Sequence, residues 1–179
     1  MIILFFGQPA SGKTTLADAF VKLADNLYCE NIMKLGYSAW DSVGGGSRSF
    51  ECIRIDGDRW RDITKNKDYS KEGRLRNLKG AFDMALYMEN EGYTPVVSFV
   101  TPYEELRTYL RENSKNLVEI YLTYNGDRGR SMNFAKDFEE PTGNYLKIDT
   151  TSRDEFNTID ECVDKVNEYI QSFAPELES

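Results

Sequence analysis

The chain has 179 residues, of which 40% are hydrophobic, and this suits one compact domain over 1–179 with a buried core. Its 30 Asp and Glu outweigh 22 Lys and Arg, and histidine is absent, which disfavours duplex nucleic acid as a partner and excludes every histidine-based triad or histidine general base. Three cysteines, Cys29, Cys52 and Cys162, lie far apart without C-x-x-C spacing, against a disulfide scaffold or a zinc site.

The first element is the apolar run "MIILFF". It carries no basic leader and turns at once into glycine and proline, so it reads as a core strand, Ile2 to Phe6, in a cytoplasmic setting. No apolar stretch nears the roughly 20 residues of a membrane helix. "GQPASGKT", Gly7 to Thr14, then fits G-x-x-x-x-G-K-[ST], with a helical pattern "TTLADAFVKLA" behind it. In such a loop Gly7, Gln8, Pro9, Ala10, Ser11 and Gly12 wrap phosphate oxygens, and Thr15 follows at the helix N-terminus. Lys13 supplies a positive charge to the β- and γ-phosphates and the Thr14 hydroxyl is a ligand for Mg²⁺. The cofactors expected are therefore ATP and Mg²⁺. With no N-K-x-D motif to read a guanine base and a chain short for a motor ATPase, a small-molecule kinase is the economical reading.

A glycine-rich insert over about 28–51, with Gly44 to Gly46 inside it, leads to the second strand "CIRID", Cys52 to Asp56. That strand ends in "RIDGDRWRD", where an extended backbone would turn Asp56 and Asp58 to one side, able to orient or deprotonate an acceptor hydroxyl; an Asx turn with solvated charges is the alternative. Leu75, Leu78, Phe82 and Leu86, widened by Ala81 and Ala85, mark a helix. Further strands are expected at Thr94 to Val100, Leu117 to Tyr124 and Tyr145 to Asp149. "TPYE" places Thr101 at an N-cap, Pro102 at the first helical position and Glu104 two further on, and "TIDE" from Thr158 starts the last helix, Ile159 to Ile170. Such alternation predicts a doubly wound α/β fold of about five parallel strands with helices on both faces, its ligands beyond the carboxyl ends of the strands.

Taken together, "GQPASGKTTLA", "IDGDRWR", "DYSKEGRLRNLKGAFDMA", "VVSFVTPYEELR", "NFAKDFEEP" and "LKIDT" resemble adenylylsulfate kinase. The resemblance implies a three-layer P-loop kinase that transfers the ATP γ-phosphate to the 3′-hydroxyl of adenosine 5′-phosphosulfate. It makes Asp56 the acceptor-side base, with Asp58 in support. Arg61 and Arg74 fall on arginines that hold the acceptor's phosphosulfate, Asn77 on the asparagine of an N-I-R-R segment, and Ser98 on the third strand's motif. Tyr69 and Phe134 fall on two aromatics that sandwich the acceptor's adenine; Pro102, Tyr103 and Arg107 are as consistent with capping and packing. A short lid over about 125–141 would bring Arg128 and Arg130 to the ATP phosphates. The chain departs from the family where N-I-R-R reads Asn77, Leu78, Lys79, Gly80 and where the lid is shortened. The partner expected is thus a small nucleotide, with a homodimer left open. A kinase of the same fold acting on another nucleoside or polynucleotide hydroxyl, or a nucleotide-binding module without turnover, are the competing readings.

Overall fold

The computed structural model describes residues 1–27, 52–126, 134–151 and 159–172. The glycine-rich insert, Arg128, Arg130 and Thr158 lie outside these residues.

Five strands, β1 (Ile2–Phe6), β2 (Cys52–Asp56), β3 (Thr94–Phe99), β4 (Leu117–Thr123) and β5 (Leu146–Asp149), form one sheet in the order β2-β3-β1-β4-β5. Every pairing is parallel, with Phe5 opposite both Ser98 and Ile120. The described helices are α1 (Lys13–Leu27), α2 (Gly57–Thr64), α3 (Lys71–Asn90), α4 (Glu104–Asn113) and α5 (Ile159–Gln171). None of them is long and apolar enough to cross a membrane.

Because successive strand residues point to opposite faces, the continuous run in β1 feeds two cores. Ile2, Leu4 and Phe6 pack with Leu78, Ala81 and Phe82 of α3 and Leu106 and Leu110 of α4. Ile3 and Phe5 pack with Leu16, Ala17 and Phe20 of α1 and Val163 and Val166 of α5. The three-layer sandwich follows, and the sheet order places the carboxyl end of β1 between those of β3 and β4.

Two helix starts differ from expectation. The extended backbone stops at Asp56, and Asp58 sits in the first turn of α2. Asp56 caps that helix: its Oδ1 accepts from the backbone N–H groups of Asp58 and Arg59, at 3.1 and 3.2 Å. The carboxylate satisfies amides that the first helical turn leaves open. Helix α4 begins at Glu104, with Tyr103 at the N-cap and no side-chain cap of its own. Thr101 is in the left-handed region at φ 44°, which takes it out of the capping position. The acceptor comes from elsewhere, since the Glu104 N–H donates to Glu139 Oε2 at 2.6 Å.

Candidate active site

The phosphate loop is held by its backbone. Gly7 adopts φ 141°, and a Cβ there would collide with the Leu122 carbonyl oxygen of β4, so no other residue lets the loop leave the sheet on this path. Its N–H donates to the Val100 carbonyl, and the Thr150 hydroxyl donates to the Ser11 carbonyl. Ser11 and Lys13 are buried. The Lys13 ammonium donates to the Gln8 carbonyl at 2.6 Å and to Ser11 Oγ at 3.3 Å, so it lies folded within the loop.

Beyond the loop, Thr14 Oγ1 and Ser98 Oγ each donate to Asp56 Oδ2 at 2.9 Å. The α1 N-terminus and the ends of β2 and β3 thereby meet on one carboxylate. Arg54, two residues earlier on β2, braces this row: its guanidinium donates to Ser98 Oγ, the Val96 carbonyl and Asp18 Oδ1, and lies 3.7 Å from Asp56 Oδ2. Burial pushes the Asp56 carboxyl up, but the Arg59 amide, the Ser98 and Thr14 hydroxyls and the Arg54 charge outweigh it and hold it below the ordinary carboxylate value. Asp56 is therefore an ionised group at neutral pH.

One cavity of about 530 Å³ joins the loop to residues of α2 and α3. Lys13, Thr14, Asp56, Asp58, Ser98, Arg61, Tyr69, Arg74 and Asn77 all line it. The sequence-predicted residues of α1, β2, α2, α3 and β3 thus converge. Arg61 stacks over the Tyr69 ring at 4.4 Å and Arg74 lies 5.9 Å from the same ring, while Arg61 also donates to the Asn66 and Asp68 carbonyls. Tyr69 is exposed. Its face is occupied by a guanidinium, so a stacking base would have to displace Arg61 or use the other side. Phe134 is half-buried and not among the lining residues. Arg128 and Arg130 lie outside the described residues.

Thr101, expected only as a cap, also lines the cavity. It is fully buried, and its hydroxyl, like Asn77 Oδ1, has no hydrogen-bond partner. Buried polar atoms of this kind are rare, and two among the residues lining one cavity leave hydrogen-bonding capacity for a polar ligand. The sequence signal for Thr101 was only its place after a strand that ends at the sheet's carboxyl edge.

The family model for adenylylsulphate kinase matches residues 46–165, two thirds of the chain. The chain belongs to the adenylylsulphate kinase family. Among curated relatives, a probable adenylyl-sulfate kinase of Archaeoglobus fulgidus is 29% identical over 67% of this chain and 64% of its own length. A cytidine diphosphoramidate kinase of Campylobacter jejuni is 26% identical over 68% of this chain and 59% of its own length, so the matched stretch spans less than two thirds of either protein. The Mycobacterium tuberculosis APS kinase, solved in complex with AMPPNP and APS, superposes with a TM-score of 0.65 at 16% identity, over 95% of this chain and 96% of that one. That likeness bears out the fold of this family member, a parallel sheet with helices on both faces.

Proposed function

We propose that the protein is an ATP-dependent kinase that moves the γ-phosphoryl group of ATP to the 3′-hydroxyl of adenosine 5′-phosphosulfate, giving ADP and 3′-phosphoadenosine 5′-phosphosulfate. The observation that carries this reading is the row Thr14–Asp56–Ser98, which stands between a phosphate loop and a cationic, aromatic wall within one cavity. Family membership supports an anionic nucleotide acceptor; Arg61 and Arg74 would suit its charge and Tyr69 its base.

In this mechanism the loop amides and Lys13 bind the triphosphate, with Lys13 exchanging the Gln8 carbonyl for phosphate oxygens. The Thr14 hydroxyl and Asp56 carboxylate are hard oxygen donors already in contact, and they would hold a magnesium ion brought with the nucleotide. When bound, the ion supplies charge neutralisation at the phosphates. Asp56 orients the attacking hydroxyl and receives its proton as the bond to phosphorus forms. A carboxylate with a low pKa suffices, because a loose phosphoryl-transfer transition state asks for positioning more than for early deprotonation. Ser98 and Arg54 fix the Asp56 rotamer.

The test is a panel of acceptors incubated with γ-labelled ATP and Mg²⁺. Label is expected in adenosine 5′-phosphosulfate at the 3′ position. The second reading is a kinase of the same fold with another nucleotide acceptor, favoured by the cytidine diphosphoramidate kinase relative and by the Arg61 guanidinium lying on Tyr69. Label in a cytidine nucleotide and none in adenosine 5′-phosphosulfate would select it.

A further inference from the structure

Gln8 is the second residue of the phosphate loop, at a position where the motif prescribes no side chain. Its main chain serves the loop, but its side chain reaches across to the segment that follows residue 134. Gln8 Nε2 donates to the Ala135 carbonyl at 2.9 Å, and the Ala135 N–H donates to Gln8 Oε1 at 3.1 Å. Both polar groups of one amide are thus spent on both backbone groups of one residue, 127 positions away. Ala135 is buried. It begins the arm 134–141, which is fixed at its other end where the Glu139 N–H donates to the Pro102 carbonyl at 2.8 Å and Arg107 donates to the Glu139 carbonyl at 2.7 Å. The same Gln8 carries on its own carbonyl the Lys13 ammonium, at 2.6 Å. When Lys13 turns to a phosphate, the peptide that loses this contact is the one whose side chain holds the arm.

We propose that Gln8 is a positioning residue that couples occupancy of the phosphate loop to the placement of the arm 134–141, and, through the bond from the Glu139 N–H to Pro102, to the cavity wall that Pro102 lines. The coupling rests on the kinase reading above for its biological sense but not for its test. A triphosphate that orders the loop fixes the Gln8 amide in space, so the arm loses less freedom when it docks. Two binding events that share one ordering cost favour each other. Neither hydrogen bond is required for phosphate binding, which uses main-chain amides and Lys13.

The test compares the full chain with Gln8→Met, which keeps the length of the side chain and removes both hydrogen bonds. Hydrogen exchange of a peptide spanning 134–141 is followed with and without Mg²⁺ and a non-hydrolysable ATP analogue, at concentrations that saturate each protein. In the native chain the nucleotide is expected to slow exchange of the Ala135 amide by about tenfold, the scale of one or two net hydrogen bonds; in Gln8→Met that slowing is expected to vanish. In steady state the acceptor KM should rise about tenfold in the variant, with a smaller change in kcat. Equal slowing in both proteins, or faster exchange in the variant by the same factor with and without nucleotide, would overturn the coupling and leave Gln8 a simple tether. Failure of phosphate transfer to any acceptor, with the exchange difference intact, would refute the kinase reading alone. Absence of nucleotide binding in the native chain would refute both.

Discussion

On the loop wall of the cavity, backbone sets the positions: Gly7 fits only without a Cβ, Ala10 and Gly12 stand at φ 65° and 91°, and the loop's main chain is tied to the Val100 carbonyl and to the Thr150 hydroxyl. On the acceptor wall the positions are set by long side chains, with Arg61 and Arg74 reaching over an exposed Tyr69 from two different helices. The first arrangement cannot change at its glycines without disturbing the loop, and it suits a polyphosphate. The second can be rebuilt by changing a few side chains without disturbing the sheet. Related kinases of one fold can therefore share a donor while differing in acceptor, as the names of this family's relatives illustrate.

The strongest way to break this comparison is at Asp56, where the two walls meet. Asp56→Asn keeps a good N-cap for α2 but removes the charge, and kcat is expected to fall about a thousandfold, the scale of losing one preorganised electrostatic group. Unchanged urea unfolding alongside that loss would separate chemistry from folding. Next comes the support behind the arm. Arg107 is fully buried, donates to Glu104 and to the Thr101 and Glu139 carbonyls, and lies over Phe6 and Phe138. Arg107→Leu should cost about 3 kcal/mol in urea denaturation, because it strands buried partners. A smaller effect is expected on the acceptor side, where Arg74→Ala should raise the acceptor KM about tenfold, one charge-assisted contact, and leave the ATP KM within about twofold. An equal rise in both constants would show that the walls are not independent.

A pH titration of stability probes the arm's anchor. Burial raises the Glu104 carboxyl, but hydrogen bonds from Thr142, Arg111 and Arg107 overcome it and bring it down to about 2 from an ordinary 4.5. A depressed folded-state value means that this contribution is complete above the unfolded pKa and is lost as pH falls toward the folded one. The urea midpoint should therefore drop between about pH 4.5 and pH 2, and Glu104→Gln should flatten that part of the curve. The smallest effect is assigned to Tyr69→Phe. The ring and its stacking remain, so acceptor KM should move by no more than about twofold.

Much of this was legible in the residues. All five strands lie within one residue of their expected bounds, since continuous β-rich apolar runs flanked by turn residues leave little choice. The phosphate loop was equally plain, because its geometry depends on glycines and on local order along the chain. The candidate acceptor residues of α2 and α3 were reached through family resemblance, and the cavity they share was not deducible from spacing. What escaped were contacts made across the fold. Arg54 was visible as a charge two residues before Asp56 in a strand, and the period of two would have put both on one side. Glu139 capping α4, Gln8 clasping Ala135 and the left-handed Thr101 have no local signature, because each partner lies tens of residues away or is imposed by packing. Asp58 lines the cavity beside Asp56 as expected, but from the first turn of α2 rather than from an extended backbone, because Asp56 caps a helix that starts at Gly57.

On the proposed reading, Asp56 stands between a bound ATP and a nucleotide hydroxyl and governs transfer between them. Release of ADP from Mg-ATP, measured with and without adenosine 5′-phosphosulfate, for the native chain and for Asp56→Asn, tests it most directly. The account predicts release that depends on the acceptor in the native chain and falls about a thousandfold in the variant, with ATP still bound. Acceptor-dependent release that persists in Asp56→Asn within a few fold of the native rate would contradict it.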